Sequence, residues 1–470
     1  MAVTILIIQS KMNNIYFIGA GGIGMAALER YFKAQGDNVA GYDRTPTELT
    51  DSLISEGIDI TFDESADAIP ARYRDPADTL VVYTPAVPDT MPQLKWMRDN
   101  GFKVVKRAAV LGEVTRRSKA ICFAGTHGKT TTSSMAAHML HTSAAGCNAF
   151  LGGVLRNYNS NFLLDAASPY SVIEADEYDR SFHHLSPYIA VVTSTDPDHL
   201  DIYGTEEAYL ESFTQFTRLI HPDGKLIVHT GLKFRPDAPE SVKVYTYSRD
   251  EGDFHAVNIR RGNGTIVYDL RVPREIVAEG VIKDIELGVP VEINIENSIA
   301  AAAATLLTGD VTADNLRQAL ASFMGPKRRF EFHLREAGEH GRVIIDDYAH
   351  HPDELKASIM SVKALYPHRR LTVAFQPHLY SRTRDFAPEF AEALSLADEV
   401  VLLDIYPARE QPIAGVTSKI IFDRISCKEK HLTSKELLTK TIKNINFEIL
   451  LTAGAGDINT FIPEIIEEIK

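Results

Sequence analysis

Cysteine and tryptophan are nearly missing from this sequence, with three of the first and one of the second in 470 residues. Cys122, Cys147 and Cys427 are scattered without pair or metal spacing. That excludes a disulfide framework or a cysteine-built metal knuckle and fits a reducing, cytoplasmic setting. No apolar run approaches the roughly 20 residues needed to span a bilayer, so no membrane partner is expected. Positive charge is in deficit, giving a formal net charge of −14. Such a surface repels phosphate backbones and excludes a broad nucleic-acid partner, while a local basic pocket for one nucleotide is still allowed. Internal repeats and low-complexity tracts are absent. The opening Met1–Ser10 holds an apolar stretch, Thr4–Ile8, but no basic flank and no small-residue cleavage site. It reads as a short extension ahead of a start-like Met12 rather than a signal peptide.

What is present is the composition of a globular enzyme, 44% hydrophobic and 24% charged. The length exceeds one ordinary core and predicts about three domains, with boundaries at 12–117, 118–325 and 326–470. Short apolar strands alternate with amphipathic helices throughout, which predicts parallel sheets. The fold class is therefore α/β: a Rossmann-like first domain, a central domain with a parallel sheet, which the lysine-bearing glycine loop described below makes a P-loop-type ATPase domain by expectation, and a Rossmann-like C-terminal domain. In the first, Ile15–Ile18 is a strand, and a helix from Met25 carries Leu28, Tyr31 and Phe32 before Gly36. Ser241–Leu270 reads as antiparallel strands joined by a tight turn. Gly325–Phe330 reads as a hinge, and the alanine-rich Ile299–Leu307 as a helix closed by Gly309.

Two glycine loops carry the chemistry. Gly19, Gly21 and Gly24, with Gly22 between, follow a strand and open a helix, and Asp43 ends the next strand, where a ribose or base partner belongs. The helix N-terminus and bare backbone suit a diphosphate, whether of a dinucleotide or a nucleotide sugar. Alone, this loop would equally fit an NAD-dependent dehydrogenase. The second loop, Gly125-Thr126-His127-Gly128-Lys129-Thr130-Thr131, follows the buried strand Ala120–Ala124. It lacks the first glycine of a standard P-loop, whose place Phe123 takes, but keeps the lysine and hydroxyls. Lys129 is placed to reach β- and γ-phosphates and Thr130 to ligate Mg²⁺. A triphosphate site needs such a lysine, and a dehydrogenase does not.

Acidic blocks follow the neighbouring strands: Glu174-Ala-Asp-Glu177 after Tyr170–Ile173, and Asp196-Pro-Asp-His-Leu-Asp201 after Ile189–Val192. Hard oxygen ligands at strand ends suit a nucleotide-bound metal, with Glu174 and His199 as the expected ligands. Asp176, Asp196 and Asp198 read equally as helix caps or loop charge, and His183-His184 as structural. In the third domain, Asp346–Pro352 with His350 and His351, and Gln376–Arg384 with Arg382, are polar loops at strand C-terminal ends. Arg382 is suited to clamp a carboxylate bidentately.

Together these blocks, with Phe17–Met25, Lys327–Glu331, Tyr406–Glu410 and Gly454–Asp457, resemble the Mur ligases, and within them the alanine-adding branch. The resemblance runs from about Asn14 nearly to the end. It implies ATP-dependent amide formation between the carboxylate of UDP-N-acetylmuramate and L-alanine through an acyl phosphate, in peptidoglycan precursor synthesis. A related ligase adding a peptide is the nearest alternative. The resemblance further implies a first domain holding UDP, a central domain holding ATP, and a last domain that closes over both and receives the amino acid. Lys129 would hold phosphates, Glu174 and His199 the Mg²⁺ ions, Arg329 the nucleotide, and Asn294 and Asn297 the region near adenine. The chain departs from the family at Ile293, where His is usual, and at Leu379, where Arg is usual. The second departure leaves a substrate carboxylate to Arg382 or Arg384. Small molecules are the expected partners, bound by a monomer or homodimer.

Overall fold

A computed structural model of the chain describes residues 13–262, 264–338, 340–408 and 410–470. The apolar opening and Met12 lie outside the described residues, as does Arg409 of the Tyr406–Glu410 block. Three larger sheets and one small one organise the described residues.

The first sheet is parallel, in the order Asp59–Thr61, Asn38–Tyr42, Asn14–Ile18, Thr79–Tyr83, Lys103–Lys106. Every residue of Asn14–Ile18 is buried, because helices cover both faces of this central strand. Strand order reverses there, so the loop that follows opens at a topological switch point, where such sheets bind ligands. The helix after it, Ile23–Ala34, starts two residues before the expected Met25 and buries Met25, Leu28 and Phe32.

The second sheet runs Lys243–Tyr247, Lys225–His229, Ile189–Val192, Lys119–Ala124, Tyr170–Glu174, Asn148–Leu155, Ser160–Leu163. It is parallel except for the pairing of the last two strands. Lys119–Ala124 lies at its centre, so its two neighbours deliver the acidic blocks to either side of the phosphate loop.

These two sheets share one apolar core. The partly buried Tyr31 ring lies 5.5 Å from that of Phe150, tilted, and 6.4 Å from that of Phe162, edge-on; fully burying a Phe side chain is worth about 1.5–3 kcal/mol. At the rim of that contact, Arg30 donates to Asn161 Oδ1 at 2.6 Å and Asn161 donates to the Ile23 carbonyl at 2.6 Å. Both sheets accordingly fall in one compact unit.

Ser241–Leu270 is not the continuous antiparallel set expected. Lys243–Tyr247 joins the edge of the second sheet in parallel, while His255–Gly262 and Thr265–Arg271 form a separate small sheet with Val281–Glu286. Tyr245 and Tyr247 need the buried face that the larger sheet supplies. The alanine-rich helix runs over Ile293–Leu306, six residues longer at its start than expected, with Gly309 in the left-handed region beyond it.

The second compact unit takes Ala321–Lys470 with Asn258–Tyr268 and Glu286–Ile295. Its sheet order is Glu331–Arg335, Val343–Asp347, Ile449–Ala453, Leu371–Phe375, Glu399–Leu403, Glu429–Thr433. Only the first strand is antiparallel to its neighbour. No helix among the described residues is long and apolar enough to cross a membrane.

Candidate active site

The first glycine loop turns sharply off Ile18. Gly19 and Ala20 both donate to the Tyr42 carbonyl, at 2.8 and 2.9 Å, and Gly22 caps the helix without a side-chain bond. Asp43, expected to face a ribose or base, is turned onto the loop itself: its Oδ2 accepts from the Gly21 N–H at 2.7 Å. A charge-assisted bond of this length fixes the loop's shape.

In the second loop, Gly128 has φ +82° and caps the helix Lys129–His141. A side chain there would be strained and would meet Asn297 Oδ1 at 2.9 Å. Asn297 also accepts from Thr132 Oγ1 at 3.2 Å, so this residue packs against the loop. Asn294 instead donates to the Val289 carbonyl at 3.1 Å. Thr126 is tied to the strand Ile189–Val192 side of the site. Its hydroxyl donates to the Asp196 carbonyl and accepts from Tyr209, each at 2.7 Å. The His127 N–H donates to Ser194 Oγ at 2.7 Å while its ring stays in solvent, 3.8 Å from Asp196.

Lys129 folds back over its own loop. Its Nζ donates to the Gly125 and Thr126 carbonyls and lies 2.9 and 2.8 Å from the two oxygens of Glu177. Glu177 was not among the residues expected to act, although it stood inside the acidic block; the turn after the strand brings it, rather than Glu174, to the ammonium. Burial pushes its carboxyl up from the usual carboxylate range, and Lys129 opposes that. Glu174 meets Thr130, whose hydroxyl donates to Oε1 at 3.1 Å, and accepts from the Gly152 N–H at 3.1 Å. Its carboxyl is likewise raised by burial, with Thr130 and Lys129 opposing.

The expected metal set is brought together only in part. Thr130 and Glu174 touch, whereas His199 stands 4.0 Å from Glu177 and packs edge-on against Tyr178. No group of three metal-type side chains converges among the described residues. Thr130 and Glu174 nevertheless offer the hard oxygens that suit a nucleotide-bound Mg²⁺, with the His199 imidazole near Glu177. His183 is structural, as expected, bonded to Ser212 and stacked on Phe182.

The third sheet gathers its polar loops at the C-terminal edge. Arg328 bolts them together: it contacts Asp346 at 3.1 Å and the carbonyls of Gly454 and Gly456, and lies over the Tyr348 ring. Arg329, one residue on, contributes its charge near Asp347. The two histidines separate in role. His351 caps the helix Pro352–Leu365 through Nδ1, while His350 donates from Nδ1 to the Tyr348 carbonyl at 2.9 Å, leaving Nε2 for other work. His350 lies 6.2 Å, ring to ring, from His378, which stacks on Tyr406. Arg382, on the short helix Tyr380–Asp385, has its Nη1 buried without a hydrogen-bond acceptor among the described residues. An unpaired buried guanidinium nitrogen is costly and suits an incoming anion. Arg384 is paired with Asp385 at 2.7 Å.

Comparison with known proteins bears on this site. The model of the Mur ligase family catalytic domain matches residues 14–119, that of the Mur ligase middle domain 123–305, and that of the Mur ligase glutamate ligase domain 328–458. The UDP-N-acetylmuramate–L-alanine ligase of Phocaeicola vulgatus is 56% identical over 457 residues, covering 97% of this chain and 98% of its own. Among solved structures, the UDP-N-acetylmuramate-alanine ligase of Thermotoga maritima superposes with a TM-score of 0.79 at 27% identity, covering 97% of this chain and 98% of that one. A murein peptide ligase from Psychrobacter arcticus shares the fold at a TM-score of 0.61 and 22% identity, with the same coverage. With all three domain models matched in order and a relative more than half identical along nearly its whole length, the chain belongs to the Mur ligase family.

Proposed function

We propose that this protein is an ATP-dependent ligase joining the carboxylate of UDP-N-acetylmuramate to L-alanine, a step of peptidoglycan precursor synthesis carried out in the cytoplasm by a monomer or homodimer. The observation that carries this reading is the pairing of Lys129 with Glu177 beside Thr130 and Glu174, at the centre of a parallel sheet. The high identity to an alanine-adding relative supports alanine over a peptide as the second substrate.

Amide formation needs a better leaving group than oxide. The substrate carboxylate attacks the γ-phosphorus of ATP, forming a C–O–P linkage as ADP leaves. The amine then attacks the acyl carbon and phosphate departs. Lys129 offsets the negative charge gathered around the transferring phosphoryl group, and positioning supplies most of the rate. Mg²⁺, when bound through Thr130, Glu174 and His199, would supply further charge neutralisation. Gly125–Thr131 cradles the phosphates, and Asn297 braces that cradle. Asn294 and Arg329 would serve the nucleotide. The Gly19–Gly24 loop, shaped by Asp43, holds the UDP diphosphate. Arg382 meets a substrate carboxylate, and Nε2 of His350 is the base placed to take the amine proton.

The test is phosphate release from ATP with Mg²⁺, UDP-N-acetylmuramate and single amino acids. Release with alanine is expected. Release only with a peptide would favour the peptide-adding alternative, and NADH binding without ATP turnover would sink the ligase reading.

A further inference from the structure

We infer that Tyr203 and Tyr209 are positioning residues for ATP and its metal, bracing three loops of the phosphate site against one another; the assignment rests on the ligase reading and deepens it. Tyr203 ends the short helix Leu200–Tyr203, which starts directly after His199, and Tyr209 lies in the helix Glu206–Thr217. The two rings meet edge to face, 4.9 Å apart, and the residues are 5% and 0% exposed. From this buried pair the two hydroxyls reach different loops. That of Tyr203 donates to the Glu177 carbonyl, and that of Tyr209 to Thr126 Oγ1 at 2.7 Å.

Each bond joins segments that the chain by itself would leave independent. Glu174 ends the strand Tyr170–Glu174, and His199 follows the strand Ile189–Val192, on the other side of Lys119–Ala124. Tyr203 belongs to the His199 turn, where its N–H donates to the His199 carbonyl at 3.0 Å. Its hydroxyl ties that turn to the Glu174–Glu177 turn and so sets the separation of the two expected metal ligands. Tyr209 does the same for the Gly125–Thr131 loop, through a threonine that also bonds the Asp196 carbonyl.

Backbone strain marks where the brace bears. His199 has φ +53° and Arg180 φ +59°, the left-handed region that side chains disfavour. Such conformations persist only where their surroundings over-determine them. Tyr203 touches both residues. Its N–H holds the His199 carbonyl, and its ring centre lies 4.4 Å from the Arg180 guanidinium. The Arg180 backbone N–H donates to the same Glu177 carbonyl at 3.0 Å. Phenylalanine would fill this core equally well, so the hydroxyls are what the loops require.

Calorimetric titration with ATP, with and without Mg²⁺, tests this without turnover. Tyr203→Phe keeps the ring and loses the tie between the two ligand-bearing turns. The gain in ATP affinity on adding Mg²⁺ is expected to shrink about tenfold, while affinity in EDTA stays near wild type. Tyr209→Phe loosens the phosphate loop instead and weakens ATP about fivefold with or without Mg²⁺. Tyr170→Phe removes a buried hydroxyl, bonded to Asp310, from the far end of the strand Tyr170–Glu174 and controls for lost stability. A wild-type gain from Mg²⁺ in Tyr203→Phe overturns the assignment, as does an equal loss in Tyr170→Phe. Should Tyr203→Phe fail to fold, wild-type ATP affinity in Tyr209→Phe overturns it equally. Variants that behave as expected, in an enzyme that releases no phosphate with alanine, would defeat the ligase reading and leave this one standing.

Discussion

The ammonium of Lys129 lies 2.8 Å from Oε2 of Glu177, a carboxylate whose side chain is 2% exposed. The pair holds the lysine folded back over its own loop. Lys129→Ala is expected to lower kcat by about a hundredfold or more, about 3 kcal/mol of transition-state stabilisation. It also strands a buried acid. The stability loss should be larger at pH 8 than at pH 5.5, because burial favours the protonated form of Glu177 and only the ionised form suffers from losing its partner. Phosphate-release kinetics and melting at both pH values check the two halves.

Glu174→Gln keeps an acceptor for Thr130 and Gly152 but removes the charge. Half-maximal activity is then expected to need about tenfold more Mg²⁺, read from an Mg²⁺ titration at saturating ATP. A titration that superimposes on wild type would remove Glu174 from the metal site.

Arg382→Lys retains a cation and loses the fork. We expect a fall of at least about tenfold in kcat/KM, with the KM for ATP unchanged and melting temperature equal or higher, since an unsatisfied buried nitrogen is removed. Equal kcat/KM in the lysine variant would show that no substrate carboxylate depends on bidentate contact there.

Asp347 is half-buried, and desolvation pushes its carboxyl up from 3.8 to about 6, against the bond from Ser358 at 2.8 Å. Its native value is raised, so its contribution to stability is whole below pH 4 and is lost as pH rises through 6. The gap between the two values corresponds to about 3 kcal/mol. Asp347→Asn should therefore gain on wild type between pH 4 and pH 7, as followed by chemical denaturation at each pH.

Glu29, inside the helix after the first glycine loop, is 0% exposed, and neither carboxylate oxygen has a hydrogen-bond partner among the described residues. Burial raises its carboxyl well above the usual range. Glu29→Met is expected to stabilise the protein by about 1–3 kcal/mol near pH 8. A lower midpoint of denaturation in that variant would mean the acid has a use that its surroundings do not reveal.

Both glycine loops, their following helices and the acidic blocks were legible because each is a local event: a strand, a turn that only glycine fits, and a helix start, within about ten residues. Roles decided by side-chain direction were not. Asp43 stands where a ligand partner belongs, yet it bonds Gly21 because the loop's own N–H points at it. His350 and His351 are equivalent on paper until one caps a helix. Ser241–Leu270 alternates like a single antiparallel set, but its first strand had an unfilled sheet edge to join.

Order, spacing and residue type along the chain were enough to settle the α/β class, the two strand–glycine turn–helix loops and the Mur ligase kinship, since those depend on short-range backbone chemistry. The partnership of Lys129 with Glu177, the bond of Tyr203 to the Glu177 carbonyl, and the fusion of the first two sheets over Tyr31, Phe150 and Phe162 depended on the folded molecule. Each joins residues far apart in the chain, and which of several similar groups meet is decided by packing, which no local pattern encodes.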